Sequence, residues 1–100
     1  MQEIVYAMPR EVDHHVAKKI AMELDRKIEL DGVRSIVFDM KDTEFMDSSG
    51  IGVVIGRSRK LKYFPEGQVS VCHIRPREDL IFKSAGLYKI VKKEEENEKP

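Results

Sequence analysis

Apolar and polar positions along this chain fall into blocks whose repeat switches between the alternation of a strand and the three-and-four spacing of a helix. From Glu3 to Met8, Ile4, Val5 and Tyr6 favour the extended state, and Pro9 ends the strand because proline cannot extend a hydrogen-bonded ladder. From Asp13 to Leu30, Val16, Ala17, Ile20, Ala21, Leu24 and Ile28 recur three and four apart, with Lys18, Lys19, Glu23, Arg26 and Lys27 between them. This is an amphipathic helix, with Asp13 placed as its N-cap and Asp31-Gly32 as its end. Ser35 to Met40 is an apolar strand of the kind buried on both faces of a sheet. A polar loop, Lys41 to Glu44, leads to a second helix that starts on Ser48 and Ser49 and buries Ile51, Val54, Ile55 and Leu61. Pro65 and Gly67 interrupt the chain, and Val69 to Ile74 forms another strand. Pro76 suits the first turn of a third helix through Leu80, Ile81 and Phe82 that Gly86 stops. Lys89 to Val91 is a last short strand, and Lys92 to Pro100 a charged segment without apolar anchors.

Strands alternating with helices predict an α/β fold, a single layer of mainly parallel, mixed sheet with helices packed against it through right-handed crossovers. One domain over residues 1–91 and a mobile tail over 92–100 follow, since 100 residues suffice for one core. Lys plus Arg and Asp plus Glu each number 18, a balance with no basic excess to neutralise nucleic-acid phosphates. No apolar run approaches the ~18 residues of a membrane span, and the start carries no basic leader before a long apolar stretch, so a cytoplasmic protein is expected. The one cysteine, Cys72, lies in an apolar run and reads as a small core residue.

Chemistry concentrates at Asp47-Ser48-Ser49-Gly50. Hydroxyls where a loop enters a helix meet the free N–H groups and positive dipole end of the first turn, which suits both plain capping and a phosphate. The following helix carries Gly50, Gly52 and Gly56 although an interior glycine costs about 1 kcal/mol relative to alanine. Gly52 and Gly56 share a face distinct from that of Ile51, Val54 and Ile55, so a second backbone can come close there, either from a neighbouring helix of this chain or from a partner. Arg57, Arg59, Lys60 and Lys62 sit late in this helix, where cations suit the negative end of the dipole; a solvated helix end and, for Arg57, partner recognition are the two readings.

The segment from Phe45 to Arg57, with Glu11-Val12-Asp13-His14-His15, Val71-Cys72-His73-Ile74 and Ser84 to Ile90, resembles the anti-sigma factor antagonists of the STAS domain class over nearly all of the chain. That resemblance implies a regulator and not an enzyme. Unmodified, it captures an anti-sigma factor that is also a nucleotide-bound serine kinase, freeing a sporulation sigma factor. The kinase phosphorylates Ser48 and releases the complex; a PP2C-type phosphatase restores the serine. Asp13 and the start of the second helix, Asp47, Ser49, Gly50, Gly52, Gly56 and Arg57, would contact the partner. An alternative within the same fold is an interaction module of a larger signalling or transport assembly. Two departures stand out: the family's additional first strand is missing ahead of Glu3, and Arg10 replaces a glycine of the turn before the first helix. The first leaves an open sheet edge on which a second copy can pair, or reflects a short strand or a trimmed N-terminus, so a monomer or weak dimer is expected.

Other chemistries fit poorly. Adjacent helical histidines such as His14 and His15 point about 100° apart, and His73 belongs to a distant strand, which disfavours a metal site built on them. Asp47-Ser48-Ser49-Gly50 lacks the leading glycine of a nucleophile elbow, and Gly50 to Gly56 followed by Arg57-Ser58 has neither the spacing nor the lysine of a phosphate-binding loop.

Overall fold

The computed structural model describes residues 2–94. The chain runs β1 (Gln2–Ala7), β2 (Glu11–Val12), α1 (His14–Asp31), β3 (Val33–Asp39), β4 (Phe45–Met46), α2 (Ser48–Leu61), β5 (Gln68–Cys72), α3 (Pro76–Ser84), a 3-10 turn at Leu87–Lys89 and β6 (Lys92–Lys93). The main sheet has the order β1-β3-β5-β6, and β2 and β4 form a separate pair. Every pairing among the described residues is parallel. Each step along the sheet is therefore a crossover through a helix, as the alternation of patterns predicts.

Local chemistry sets the helix ends. Asp13 accepts from the Val16 N–H at 2.9 Å, and Gly32 takes the left-handed conformation that terminates α1, with φ 72°. Arg34 then donates to the Ile28 and Val33 carbonyls at the same end. Alternate residues of the central strands, Ile36 and Phe38 on β3 and Val69 and Val71 on β5, meet Ile20, Leu24 and Ile28 of α1 and Val53, Val54 and Leu61 of α2 in one core. Ser35, Val37 and Ser70 between them are also buried, so these strands are enclosed on both faces. Fully burying Phe38 stabilises the fold by about 1.5–3 kcal/mol.

Three sequence readings are corrected. The buried stripe of α2 is Gly50, Val53, Val54, Ser58 and Leu61, while Ile51 and Ile55 are half-buried, because Gly50 seats on Met46 and Val12 and Ser58 donates to the Ile90 carbonyl at 2.8 Å. Lys89 to Val91 is not a strand: the 3-10 turn occupies its start, Val91 drops into the core, and pairing with β5 begins at Lys92. The expected tail thus contributes its first residues to the sheet, and residues 95–100 lie outside the described residues. Cys72 is half-buried at the end of β5 and absent from the core.

The final turn is held by Asp79, which accepts from the Tyr88 hydroxyl at 2.6 Å and pairs with Lys83 and Lys93. The Tyr88 hydroxyl, with Lys93 and Lys83 behind it, holds the Asp79 carboxyl down to about 2. A depressed carboxyl stabilises the fold above its ordinary value of 3.8 and loses that contribution as pH falls towards about 2. Tyr88→Phe is expected to lower stability near neutral pH by about 1.5 kcal/mol and to flatten the acid limb of the stability curve. Urea midpoints of both proteins across the acid range check this; parallel curves would show that the contact has no such role.

Candidate functional site

The short β2–β4 ribbon builds the site. Val12 and Met46 are register partners and both are buried, so the residue after each leaves the ribbon at the same level. Those next residues are Asp13 and Asp47, the N-caps of α1 and α2. The Asp47 N–H donates to the Val12 carbonyl at 3.1 Å, which extends the ladder to the second cap. Two helix N-termini consequently open side by side. Thr43, buried, ties the preceding loop down by donating to the Pro9 carbonyl at 2.9 Å. Arg10 forms an exposed ion pair with Glu44 at 2.9 Å, and its carbonyl accepts from the Glu44 and Phe45 N–H groups. The turn therefore delivers Asp13 to its cap position with the arginine in place.

Capping of α2 belongs to Asp47 and not to the serines. Its Oδ1 accepts from Ser49 N–H at 2.8 Å and from Gly50 N–H at 3.4 Å. Ser48 is thereby the first helical residue, with its side chain exposed, and Ser49 is half-buried behind it. The cap on Asp13 lowers its carboxyl below the ordinary range, chiefly through the Val16 N–H. The serine at the helix start is left for chemistry, because a carboxylate already satisfies the first N–H groups.

Between the two helices lies a shallow groove of about 250 Å³. His14, Ala17, Lys18 and Ala21 of α1 form one wall, and Ser49, Gly52, Val53 and Arg57 of α2 the other. The glycines divide by role. A Cβ on Gly50 would overlap the Met46 side chain and touch Val12, so Gly50 lets α2 settle on the β2–β4 ribbon and does not offer a contact surface. A Cβ on Gly52 or Gly56 would meet nothing within 4 Å, so close packing within this chain does not explain the strip they form. Arg57 is not at a solvated helix end: its side chain is only 12% exposed, with Nε 3.2 Å from Asp25 Oδ1 of α1. Lys60 reaches Asp25 at 3.3 Å and Glu29 at 2.9 Å, reinforcing the α1–α2 contact. The Arg57 Nε and Nη1 atoms have no hydrogen-bond partner in line, and Arg57 lines the groove.

Gly50→Ala is expected to destabilise by about 1–3 kcal/mol through overpacking, partly offset by the better helix propensity of alanine. A lowered urea midpoint with unchanged slope checks it, and an unchanged midpoint would mean that Met46 moves aside freely.

The β2–β4 pair was not visible in the sequence, since two residues carry no periodicity. The signal that existed was the repeat of an apolar residue followed by aspartate, Val12-Asp13 and Met46-Asp47, before each helix. Phe45, 44% exposed on β4, was read only as part of a motif and turns out to be an accessible aromatic side chain.

The STAS domain model matches residues 2–99. An anti-sigma F factor antagonist from Paenibacillus polymyxa is 32% identical over 88 residues, covering 88% of this chain and 74% of that protein. One from Lysinibacillus sphaericus is 30% identical over 86 residues, 86% of this chain and 73% of that protein. Among solved structures, the anti-sigma factor antagonist SpoIIAA in its unphosphorylated form superposes with a TM-score of 0.74 at 30% identity, over 81% of this chain and 73% of that one. The Bacillus cell fate determinant SpoIIAA in the phosphorylated form gives 0.78 at 29% identity, over 96% and 86%.

Proposed function

This chain belongs to the STAS domain family, and on that premise we propose that it is an anti-sigma factor antagonist switched by phosphorylation of Ser48. The observation that carries the reading is the exposed Ser48 at the first position of α2, beside a groove whose far wall is α1. With Ser48 unmodified, the protein binds a nucleotide-bound anti-sigma factor serine kinase and frees a sporulation sigma factor. Phosphorylation by that kinase releases the complex, and a PP2C-type phosphatase resets it. The likeness to an antagonist whose phosphorylated form is known supports such a cycle.

Asp13, Ser49, Gly52, Gly56 and Arg57 present the partner surface, with Asp47 fixing the serine and Gly50 setting the helix. The open strip at Gly52 and Gly56 admits a partner's backbone, the groove supplies shape, and Phe45 adds an aromatic anchor at the edge. No helix of the described residues is long and apolar enough to cross a membrane.

The test is incubation of the full chain with an anti-sigma factor kinase and ATP, followed by intact-mass analysis. A single added phosphate that is absent from Ser48→Ala is the expected result. No phosphate, or one that persists in Ser48→Ala, would remove the switch and leave an interaction module of the same fold.

A further inference from the structure

At the C-terminal ends of the two central strands, below the loops that lead into the helices, three side chains of different chemistry converge. Asp39 ends β3 and Cys72 ends β5, and the two are register partners in the parallel sheet. Register partners project to the same face, so the carboxylate and the thiol lie side by side. In a continuing strand His73 would point to the other face. It adopts a left-handed conformation instead, φ 54°, which only a few per cent of non-glycine residues do. The turned backbone returns the imidazole to Asp39, with Nδ1 3.0 Å from Oδ1.

One ligand atom from each of Asp39, Cys72 and His73 lies within 4.8 Å of the others. We propose that these three residues form a binding site for zinc or a similar divalent transition metal, with water in the fourth position. Zinc takes thiolate at about 2.3 Å and imidazole or carboxylate at about 2.0–2.2 Å, so tetrahedral ligand atoms sit roughly 3.3–3.6 Å apart. The 3.0 Å carboxylate–imidazole contact is already on that scale, and modest side-chain rotation closes the remainder. The donor set selects the metal: a thiolate and an imidazole suit zinc or cobalt and disfavour magnesium and calcium, which want oxygen alone. The Lys41 N–H donates at 3.0 Å to the same Asp39 Oδ1 that faces His73 and so helps to fix the carboxylate's orientation, as outer hydrogen bonds do in metal sites. His73 is exposed and Asp39 and Cys72 are half-buried, so an ion enters from solvent. On binding, the Cys72 S–H proton passes to the buffer, while His73 enters as neutral imidazole and Asp39 as carboxylate.

Sequence reading missed this site because Asp39 and Cys72 are 33 positions apart and only strand pairing unites them. The site stands independently of the switch at Ser48, and the fate of either reading leaves the other unchanged.

The test is titration of the reduced full chain with cobalt, then zinc. About one equivalent of cobalt is expected to produce the thiolate-to-metal charge-transfer band and the visible bands of a tetrahedral ion, and zinc should abolish both. His73→Asn suits the left-handed backbone and can keep the contact to Asp39 but not the metal bond, and Cys72→Ser keeps a hydroxyl. Both are expected to remain folded by circular dichroism, to weaken cobalt binding at least tenfold and to lose zinc-induced thermal stabilisation. The absence of a thiolate band in the wild type, or equal affinity in folded His73→Asn, would overturn the site.

Discussion

Ser48→Asp is expected to lose its partner by more than about a hundredfold while Ser48→Ala retains it, with both variants as stable as the wild type. A phosphoryl group brings about −1.5 to −2 charges and an aspartate about −1, in either case at the first helical position, next to the Asp47 cap, which follows the ribbon at the same level as Asp13. The added charge and bulk beside Asp47 obstruct close contact at the start of α2 and repel any carboxylate that a partner brings there. A coupling of about 3 kcal/mol, within the usual range for linked binding events, corresponds to a factor above one hundred. The fold itself tolerates the charge. Ser48 is exposed, and the N-terminal dipole of α2 favours an anion by about 0.3–1 kcal/mol. Calorimetric titration of each variant against the partner, beside thermal melts, separates the two effects. Equal affinities for Ser48→Ala and Ser48→Asp would sink the electrostatic switch; a large loss of melting temperature in Ser48→Asp would show that the serine is needed for folding.

Gly52→Leu is expected to weaken binding about thirtyfold or more without disturbing the fold. Nothing lies within 4 Å of a Cβ built at Gly52, and replacing a helical glycine gains up to about 1 kcal/mol of helix propensity. The same leucine fills the groove beside Val53 and holds off a partner's backbone, a loss of about 2 kcal/mol or more if this is the centre of the interface. That is roughly thirtyfold in affinity. The pairing with Gly50→Ala is informative, because the two glycines stand two residues apart on roughly opposite sides of α2, Gly50 buried and Gly52 exposed, and carry opposite expectations: Gly50 protects stability, Gly52 protects recognition. A Gly52→Leu protein that binds as well as the wild type would move the partner surface elsewhere.

The exposed edge of the sheet bears on oligomeric state. β1 pairs only with β3 among the described strands, and Val5 on it is largely exposed. A weak dimer through this edge remains a proposal, and sedimentation at increasing concentration reads it directly.

Elements whose signal is local are legible in the sequence itself. The α1 stripe from Val16 to Ile28 repeats over several turns, so its amphipathic period was unmistakable, and Asp13 and Gly32 carry their capping preferences in their own side chain and backbone freedom. The long apolar β3 announced a strand buried on both faces, and the alternation of strands with helices announced the α/β layer. Ser48 was legible as a helix-start hydroxyl, and the motif around it pointed to the family. Side-chain identities decide these features because the forces concerned act within one or two helical turns.

Tertiary structure alone decided the rest. That Asp47 and not a serine caps α2 depends on how β4 delivers the chain, and β4 exists only by pairing with β2 from a remote segment. Which glycine of α2 is buried and which is open follows from how α2 seats on Met46 and Val12 of the β2–β4 ribbon, information that no stretch of α2 contains. That Arg57 is a half-buried partner of Asp25 and not a cation at a solvated helix end depends likewise on α1 lying beside α2. Asp39, Cys72 and His73 meet because register and one left-handed residue bring them together. Local preference acts through the chain and can be read along it, whereas juxtaposition is set by packing elements that are far apart in sequence, where the free energy of burial outweighs the preferences of single residues.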